Sequence, residues 1–230
     1  MRTSFCMLLL VLAMEFGGCT QKDNLSECLG SCTVVAGRLL TSNSAPLPNA
    51  TVTLQWAGGP AYSPTARKKA VATTDANGRY RVSTFLSNDE LADGFIKVVF
   101  SPDNSKYYLI GEPGLAFYRP KRDTTYSAPD FLLPRKAFVK IVVTNPSQVP
   151  SPYAYYVDFN SCYGGNTVFS QAILGGGPSV NLSGLSAPYL IAIPADQPIL
   201  VKQRKNGGYI SPSDTLIVPT GTTRTYTLTY

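Results

Sequence analysis

Between positions 50 and 56 apolar and polar residues alternate. Val52, Leu54 and Trp56 fall on one side of an extended chain, and Thr51, Thr53 and Gln55 on the other. Strand side chains repeat direction every two residues, so this stretch predicts a half-buried strand with the first set facing a core. The same period turns Tyr80 and Val82 inward and Arg79 and Arg81 outward. Residues 34–40 read as a short apolar strand with Gly37 inside it. Asp75-Ala76-Asn77-Gly78 lies between two alternating runs and reads as a hairpin turn, because Asn-Gly tolerates positive φ. After Pro134-Arg135-Lys136 the pattern resumes as short strands over 137–144, 153–160, 167–173, 189–193, 199–204, 215–218 and 223–230. Tyr226 and Leu228 share one face of the last strand, and its threonines take the other. No helical period runs for long; 88–93 is one turn at most. The chain therefore reads as all-β, with two consecutive β-sandwich domains at 33–134 and 135–230.

The N-terminus has a different pattern. Arg2 precedes an apolar run over 5–14, too short for a hydrocarbon core about 30 Å thick that needs roughly 20 residues. A secretory signal over 1–18 fits better than a transmembrane helix. Phe16-Gly17-Gly18-Cys19 resembles the lipobox of bacterial lipoproteins, with Phe16 where the family usually has Leu. The resemblance implies that Cys19 is acylated and becomes the mature N-terminus, with 19–32 as a tether. Gln21-Lys22-Asp23-Asn24 resembles the export signal that sends Bacteroidota lipoproteins to the outer face of the outer membrane.

The first domain carries a second resemblance. The Gly-containing strand, Pro46-Leu47-Pro48-Asn49-Ala50-Thr51-Val52-Thr53-Leu54 and Thr73-Thr74-Asp75-Ala76-Asn77-Gly78-Arg79-Tyr80 are similar to the carboxypeptidase regulatory-like domain. Gly37, Pro48, Ala50, Val52, Asp75, Gly78 and Tyr80 sit on its pattern positions, and the match runs over about residues 34–86. It implies a transthyretin-like sandwich that serves as a folding and adaptor unit and carries no catalytic residues. Asp75-Ala76-Asn77-Gly78 also starts like a calcium loop, but its twelfth position is Leu86, so a plain turn is the better reading. The second domain fits an immunoglobulin-like sandwich and is similar to the small C-terminal domains of Bacteroidota lipoproteins.

Composition narrows the function. The chain has no His, which removes Ser-His and Cys-His nucleophile pairs and most metal sites, so catalytic residues, metal and cofactor are all expected to be none. The net charge of +6 is scattered. The clusters Arg67-Lys68-Lys69, Arg119-Pro120-Lys121-Arg122 and Lys202-Gln203-Arg204-Lys205 are not interleaved with aromatics, so no nucleic acid is expected. Asp89, Glu90 and Asp93 read as a solvated turn, and Asp158 shares the outward face of its strand with Tyr156 and Asn160. Past Cys6 and Cys19 come Cys28, Cys32 and Cys162, an odd number that leaves at least one thiol unpaired. Cys28 and Cys32 pair across Leu29-Gly30-Ser31, or one reaches Cys162, or the thiols stay free.

Two aromatic groups stand out: Tyr153, Tyr155, Tyr156, Phe159 and Tyr163, and Tyr107, Tyr108, Phe117 and Tyr118. Tyrosine offers an apolar face with a polar tip, so either group is a sugar-stacking platform or the Tyr-rich core of a sandwich. Tyr153, Tyr155, Tyr156 and Tyr163 are the candidate ligand residues. Asp123-Thr124-Thr125 and Asp214-Thr215-Leu216 resemble Bacteroidota O-glycosylation sites, with Thr124 and Thr215 as acceptors. The expectation is a non-catalytic lipoprotein held in the outer membrane by acylated Cys19. It would act at the cell surface as a structural, adhesive or accessory interaction module, with surface proteins or glycans as partners. The alternative is a carbohydrate-binding accessory protein of a polysaccharide-uptake system.

Overall fold

The computed structural model describes residue 28 and residues 30–59, 65–149, 155–169, 176–183, 188–210 and 213–230. The signal segment, Cys19, most of the tether, Tyr153 and positions 170–173 lie outside the described residues.

The described chain is all-β. The first sandwich uses β1 (Thr33–Leu40), β2 (Thr51–Gly58), β3 (Thr65–Thr73), β4 (Arg79–Thr84), β5 (Phe95–Ser101), β6 (Gly114–Tyr118), β7 (Thr124–Ser127) and β8 (Phe131–Leu132). One sheet has the order β4-β1-β7, with β8 also on β1; the other has the order β3-β2-β5-β6. Strand β1 runs antiparallel to β4 and parallel to β7 and β8. Val52, Leu54, Trp56, Tyr80 and Val82 are buried in one core, on the faces the alternation assigns them. Between β4 and β5 lies the short helix α1 (Asn88–Ala92).

The turn at 75–78 departs from the hairpin reading. Strands β3 and β4 belong to different sheets, so the turn carries the chain across the core instead of joining neighbouring strands. It is still tightly made. Asp75 Oδ1 accepts from the N–H groups of Asn77 and Arg79, both at 2.8 Å. Gly78 has φ 72, and a Cβ there would stand 2.3 Å from the Leu39 carbonyl, so the β1 end leaves no room for a side chain. Gly37 has a similar reason: a Cβ would lie 2.6 Å from the Tyr80 hydroxyl.

The second sandwich uses β9 (Lys136–Val143), β10 (Tyr155–Asn160), β11 (Ser179–Asn181), β12 (Tyr189–Pro194), β13 (Ile199–Lys205), β14 (Gly208–Tyr209), β15 (Asp214–Leu216) and β16 (Thr223–Leu228). Its sheets are β12-β9-β16 and β11-β10-β13-β14, with β15 also on β13. Strand β16 runs parallel to β9. The short strands β11 and β14 escaped the sequence pattern, and Thr167, Val168 and Phe169 are not in a strand. Very short edge strands carry too few residues to show a period.

The two sandwiches are joined by more than their connecting peptide. Tyr163 comes from the second half but is buried in the first core, edge-on to Tyr108 and Phe131 with ring centroids 6.0 and 6.1 Å away. Its hydroxyl accepts from the Ile110 N–H at 3.0 Å. Leu132 and Gly164 exchange backbone hydrogen bonds of 2.8 and 2.9 Å. Ser42 Oγ accepts from the Arg135 N–H at 3.0 Å and donates to the Ala195 carbonyl at 3.3 Å. Truncation of a buried aromatic side chain costs about 3–5 kcal/mol. Tyr163→Ala is therefore expected to destabilise the first sandwich by about that much and to split one urea-unfolding transition into two. Tyr163→Phe, which loses only the hydroxyl, is expected to cost about 1 kcal/mol and keep the transition single.

Candidate functional site

Strand β10 decides the fate of the predicted aromatic patch. Its residues alternate strictly, with Tyr155, Val157 and Phe159 buried and Tyr156, Asp158 and Asn160 half-buried on the outer face. Tyr155 therefore points into the second core, where its ring meets Tyr230 at 5.3 Å and its hydroxyl donates to Gln203 Oε1 at 2.6 Å. Burial pushes its pKa up to about 12, with Tyr230 adding to the rise. Tyr163 fills the first core. Tyr155, Tyr156 and Tyr163 thus do not form one platform: adjacent strand positions face opposite ways, and Tyr163 lies past the strand end. Of the second group, Tyr108 is buried, whereas Tyr118 is exposed and packs on Phe95 with centroids 5.2 Å apart.

The outer face that Tyr156 does share carries a more organised set. Strand register aligns Asn181, Tyr156, Arg204 and Tyr209 in one row across β11, β10, β13 and β14. The next row is Ser179, Asp158 and Lys202. The Arg204 guanidinium lies 4.9 Å from the Tyr156 ring centroid and 5.7 Å from that of Tyr209. It is oriented by a two-pronged contact, Nε to Asp158 Oδ2 at 3.0 Å and Nη2 to Oδ1 at 3.3 Å. Ser179 Oγ donates to the same carboxylate at 2.5 Å. The hydrogen bond to Asp158 is the main cause that raises the Arg204 pKa. Tyr209 is 66% exposed, and the Lys202 ammonium sits 5.8 Å from its centroid. Such a face offers flat apolar rings beside a fixed fork of donors, the components needed to stack a ring-shaped ligand and bond its oxygens. Sequence reasoning grouped Tyr156 with Asp158 correctly but missed Arg204 and Tyr209. Arg204 meets Tyr156 through register between strands far apart in the chain, whereas Tyr209 faces Arg204 across the short turn at Asn206-Gly207.

Glu90 requires a correction. It was expected in a solvated turn with Asp89 and Asp93, and those two are exposed, but Glu90 itself is only 3% exposed. Its two carboxylate oxygens each accept from Lys69 Nζ at 2.9 Å, and Oε2 also accepts from the Ser87 N–H at 2.9 Å. Ser87 Oγ in turn accepts from the Glu90 N–H at 3.3 Å, which completes a capping box at the start of α1. The Trp56 Nε1–H donates to the Glu90 carbonyl at 2.9 Å, and the Arg67 guanidinium lies 5.2 Å from the Trp56 centroid. Burial by itself raises the Glu90 pKa, yet the bonds from Lys69 and Ser87 and the charges of Lys69 and Arg67 hold it below the usual value. A cleft of about 330 Å³ opens beside this group, lined by Trp56, Arg67 and Asp93 among others. The Ser87-x-x-Glu90 spacing was the signal that could have found it.

Cys28 and Cys32 form a disulfide with Cα atoms 5.7 Å apart. Cys162 is a buried free thiol whose pKa burial raises, and Gln197 brackets its backbone with bonds of 3.1 and 3.2 Å. Thr215 is exposed on β15. Thr124 is half-buried, and its hydroxyl donates to the Arg122 carbonyl at 2.9 Å. Among the described residues no group of three or more Cys, Asp or Glu is placed to hold a metal ion, and no helix is long and apolar enough to cross a membrane.

No family model matches the chain, and no curated protein does. Among solved structures the chain is similar to the Bacillus anthracis TIE protein, at 11% identity and TM-score 0.32, covering 86% of this chain and 34% of that one. It is also similar to the Streptococcal ancillary pilin, at 10% identity and TM-score 0.32, covering 88% and 63%. A third is 3-chlorocatechol 1,2-dioxygenase from Rhodococcus opacus 1CP, at 15% identity and TM-score 0.30, covering 50% and 62%. The chain thus spans about a third of the first and under two thirds of the other two. Likenesses this distant add nothing to the geometry above.

Glu90→Gln is expected to lower stability by about 1–3 kcal/mol at pH 7, because Lys69 loses its charged partner. The folded-state pKa of Glu90 lies below its unfolded value, so its contribution is present above the ordinary glutamate range and lost as pH falls through the folded value. The gap between wild type and variant should therefore narrow as pH falls below the ordinary glutamate range and close once it passes the lowered folded value. Urea midpoints at neutral and acid pH check both statements.

Proposed function

We propose that the protein is a non-catalytic, membrane-anchored lipoprotein that acts at the cell surface as a structural, adhesive or accessory interaction module. The observation that carries this reading is the insertion of Tyr163 into the first core, which makes two sandwiches one unit. A tethered module that must hold a binding face at a set orientation needs such a joint. The shielded carboxylates fit the same role. Glu90 is engaged by Lys69 and Asp158 by Arg204, so both serve to fix neighbouring elements. The lipobox-like Phe16-Gly17-Gly18-Cys19 supports the anchor, since stable attachment needs more than one acyl chain and a diacylated Cys19 supplies it. The resemblance of residues 34–86 to the carboxypeptidase regulatory-like domain supports an adaptor role for the first sandwich.

A second reading, a carbohydrate-binding accessory protein, is favoured by one observation. Tyr156 and Tyr209 lie on either side of Arg204 on an open sheet face. On that face Tyr156, one of the four candidate tyrosines, would stack a sugar ring together with Tyr209, whereas Tyr155 and Tyr163 are buried.

Cys19→Ala is expected to move the protein from the membrane to the soluble fraction while its circular dichroism spectrum stays unchanged. Retention in the membrane would refute the anchor. For the second reading, Tyr209→Ala and Tyr156→Ala should each weaken retention on an immobilised glycan by about threefold to tenfold. Equal retention of both variants and wild type would remove it.

A further inference from the structure

The sandwiches meet along a groove of about 540 Å³ with walls from both. Ser105, Lys106 and Tyr107 come from the first, and Arg135, Lys136 and Phe138 from the second. The backbones on the two sides are tied as a short ladder. The Tyr108 N–H donates to the Pro134 carbonyl at 2.8 Å, and the Lys136 N–H donates to the Lys106 carbonyl at 2.9 Å. Three cations are thereby brought to one groove from two separate stretches of chain.

Their partners are unequal. Lys106 lies 3.2 Å from Asp103, an exposed carboxylate whose pKa is held down at about 2, chiefly by bonds from the Ser105 hydroxyl and N–H. Lys136 Nζ donates to the Asn104 carbonyl, a neutral acceptor. Arg135 is exposed, and among the described residues its guanidinium has no carboxylate partner, although its backbone is pinned to Ser42 and Ala195. The groove therefore holds positive charge in excess, beside the half-buried rings of Tyr107 and Phe138. Its volume lies in the range of small-ligand sites, and junctions between domains are common places for them.

We propose that this groove binds an acidic sugar unit of a polysaccharide, with a carboxylate or sulfate on Arg135 and Lys136 and the ring against Phe138 and Tyr107. A guanidinium without a partner is suited to take an oxyanion through two parallel hydrogen bonds. An aromatic wall favours the C–H face of a pyranose over a bare anion. This site is distinct from the Tyr156–Arg204–Tyr209 row, so each can fail without the other.

The test is calorimetric titration of the full chain in detergent with tetragalacturonate, a heparin tetrasaccharide and neutral cellotetraose. At least one acidic oligosaccharide is expected to bind at least tenfold more tightly than the neutral one, and which one does so identifies the oxyanion. Arg135→Gln should weaken that binding by about tenfold, the loss of one charge-assisted contact, while Lys121→Gln, a change to an exposed cation elsewhere, leaves it intact. Arg135→Lys should recover only part of the loss. Equal affinity for neutral and acidic oligosaccharides, no binding at millimolar concentration, or equal behaviour of the two Gln variants would overturn the proposal. So would a loss seen in Tyr209→Ala but not in Arg135→Gln.

Discussion

The structure depends on one side chain crossing a boundary. Tyr163 leaves the second sandwich and completes the core of the first, where Phe131 and Tyr108 receive it edge-on. Each such aromatic pair contributes about 0.5–1.5 kcal/mol beyond area burial, and the hydroxyl accepts from the Ile110 N–H. Because this ring is buried in a core it does not belong to, the first half loses part of its packing if the second swings away. Leu132 with Gly164, and Ser42 between Arg135 and Ala195, complete the same seam with backbone-directed bonds. The groove beside Arg135 keeps its shape because of that seam.

Charge is handled by a consistent physical rule across both halves. Where a carboxylate is shielded from water, a cation and a second donor accompany it: Glu90 has Lys69 and the Ser87 N–H, and Asp158 has Arg204 and Ser179. Removing a charge from water is costly unless it is paired and hydrogen-bonded, so such groups hold elements together. Glu90 ties β3 to α1, and Asp158 ties β10 to β11 and β13. Exposed pairs such as Lys106 with Asp103 contribute little and leave their surface free to change partners.

These two features give the molecule its functional character. The joined double sandwich presents two surfaces whose side chains are held in place from within the fold. One is the sheet face of Tyr156, Arg204 and Tyr209; another is the cationic groove between the halves. In both, a planar guanidinium lies beside aromatic rings, and strand register or backbone bridges hold it in place.

Much of this was legible in the chain before folding was considered. Alternation alone assigned Val52, Leu54, Trp56, Tyr80 and Val82 to a core, and put Tyr156 and Asp158 opposite Tyr155 and Phe159. That is a local property, because a strand's period is set by its own backbone. The Ser87-x-x-Glu90 cap was equally local and was overlooked. Other features had no local signal. The 75–78 turn joins two sheets although its residues are those of a hairpin, since the same turn chemistry serves either partner. Arg204 meets Tyr156 only through register between distant strands, and Tyr163 enters the first core only because the halves dock. Pairing between distant strands and domains is decided by the total burial and hydrogen bonding of the folded chain, which no window of sequence contains. Local alternation marked the longer strands and their inward faces, because a strand's period belongs to its own backbone; which strands pair, which aromatic rings stay exposed and that Arg135 faces the groove without a carboxylate partner among the described residues were settled by the packing of the whole chain.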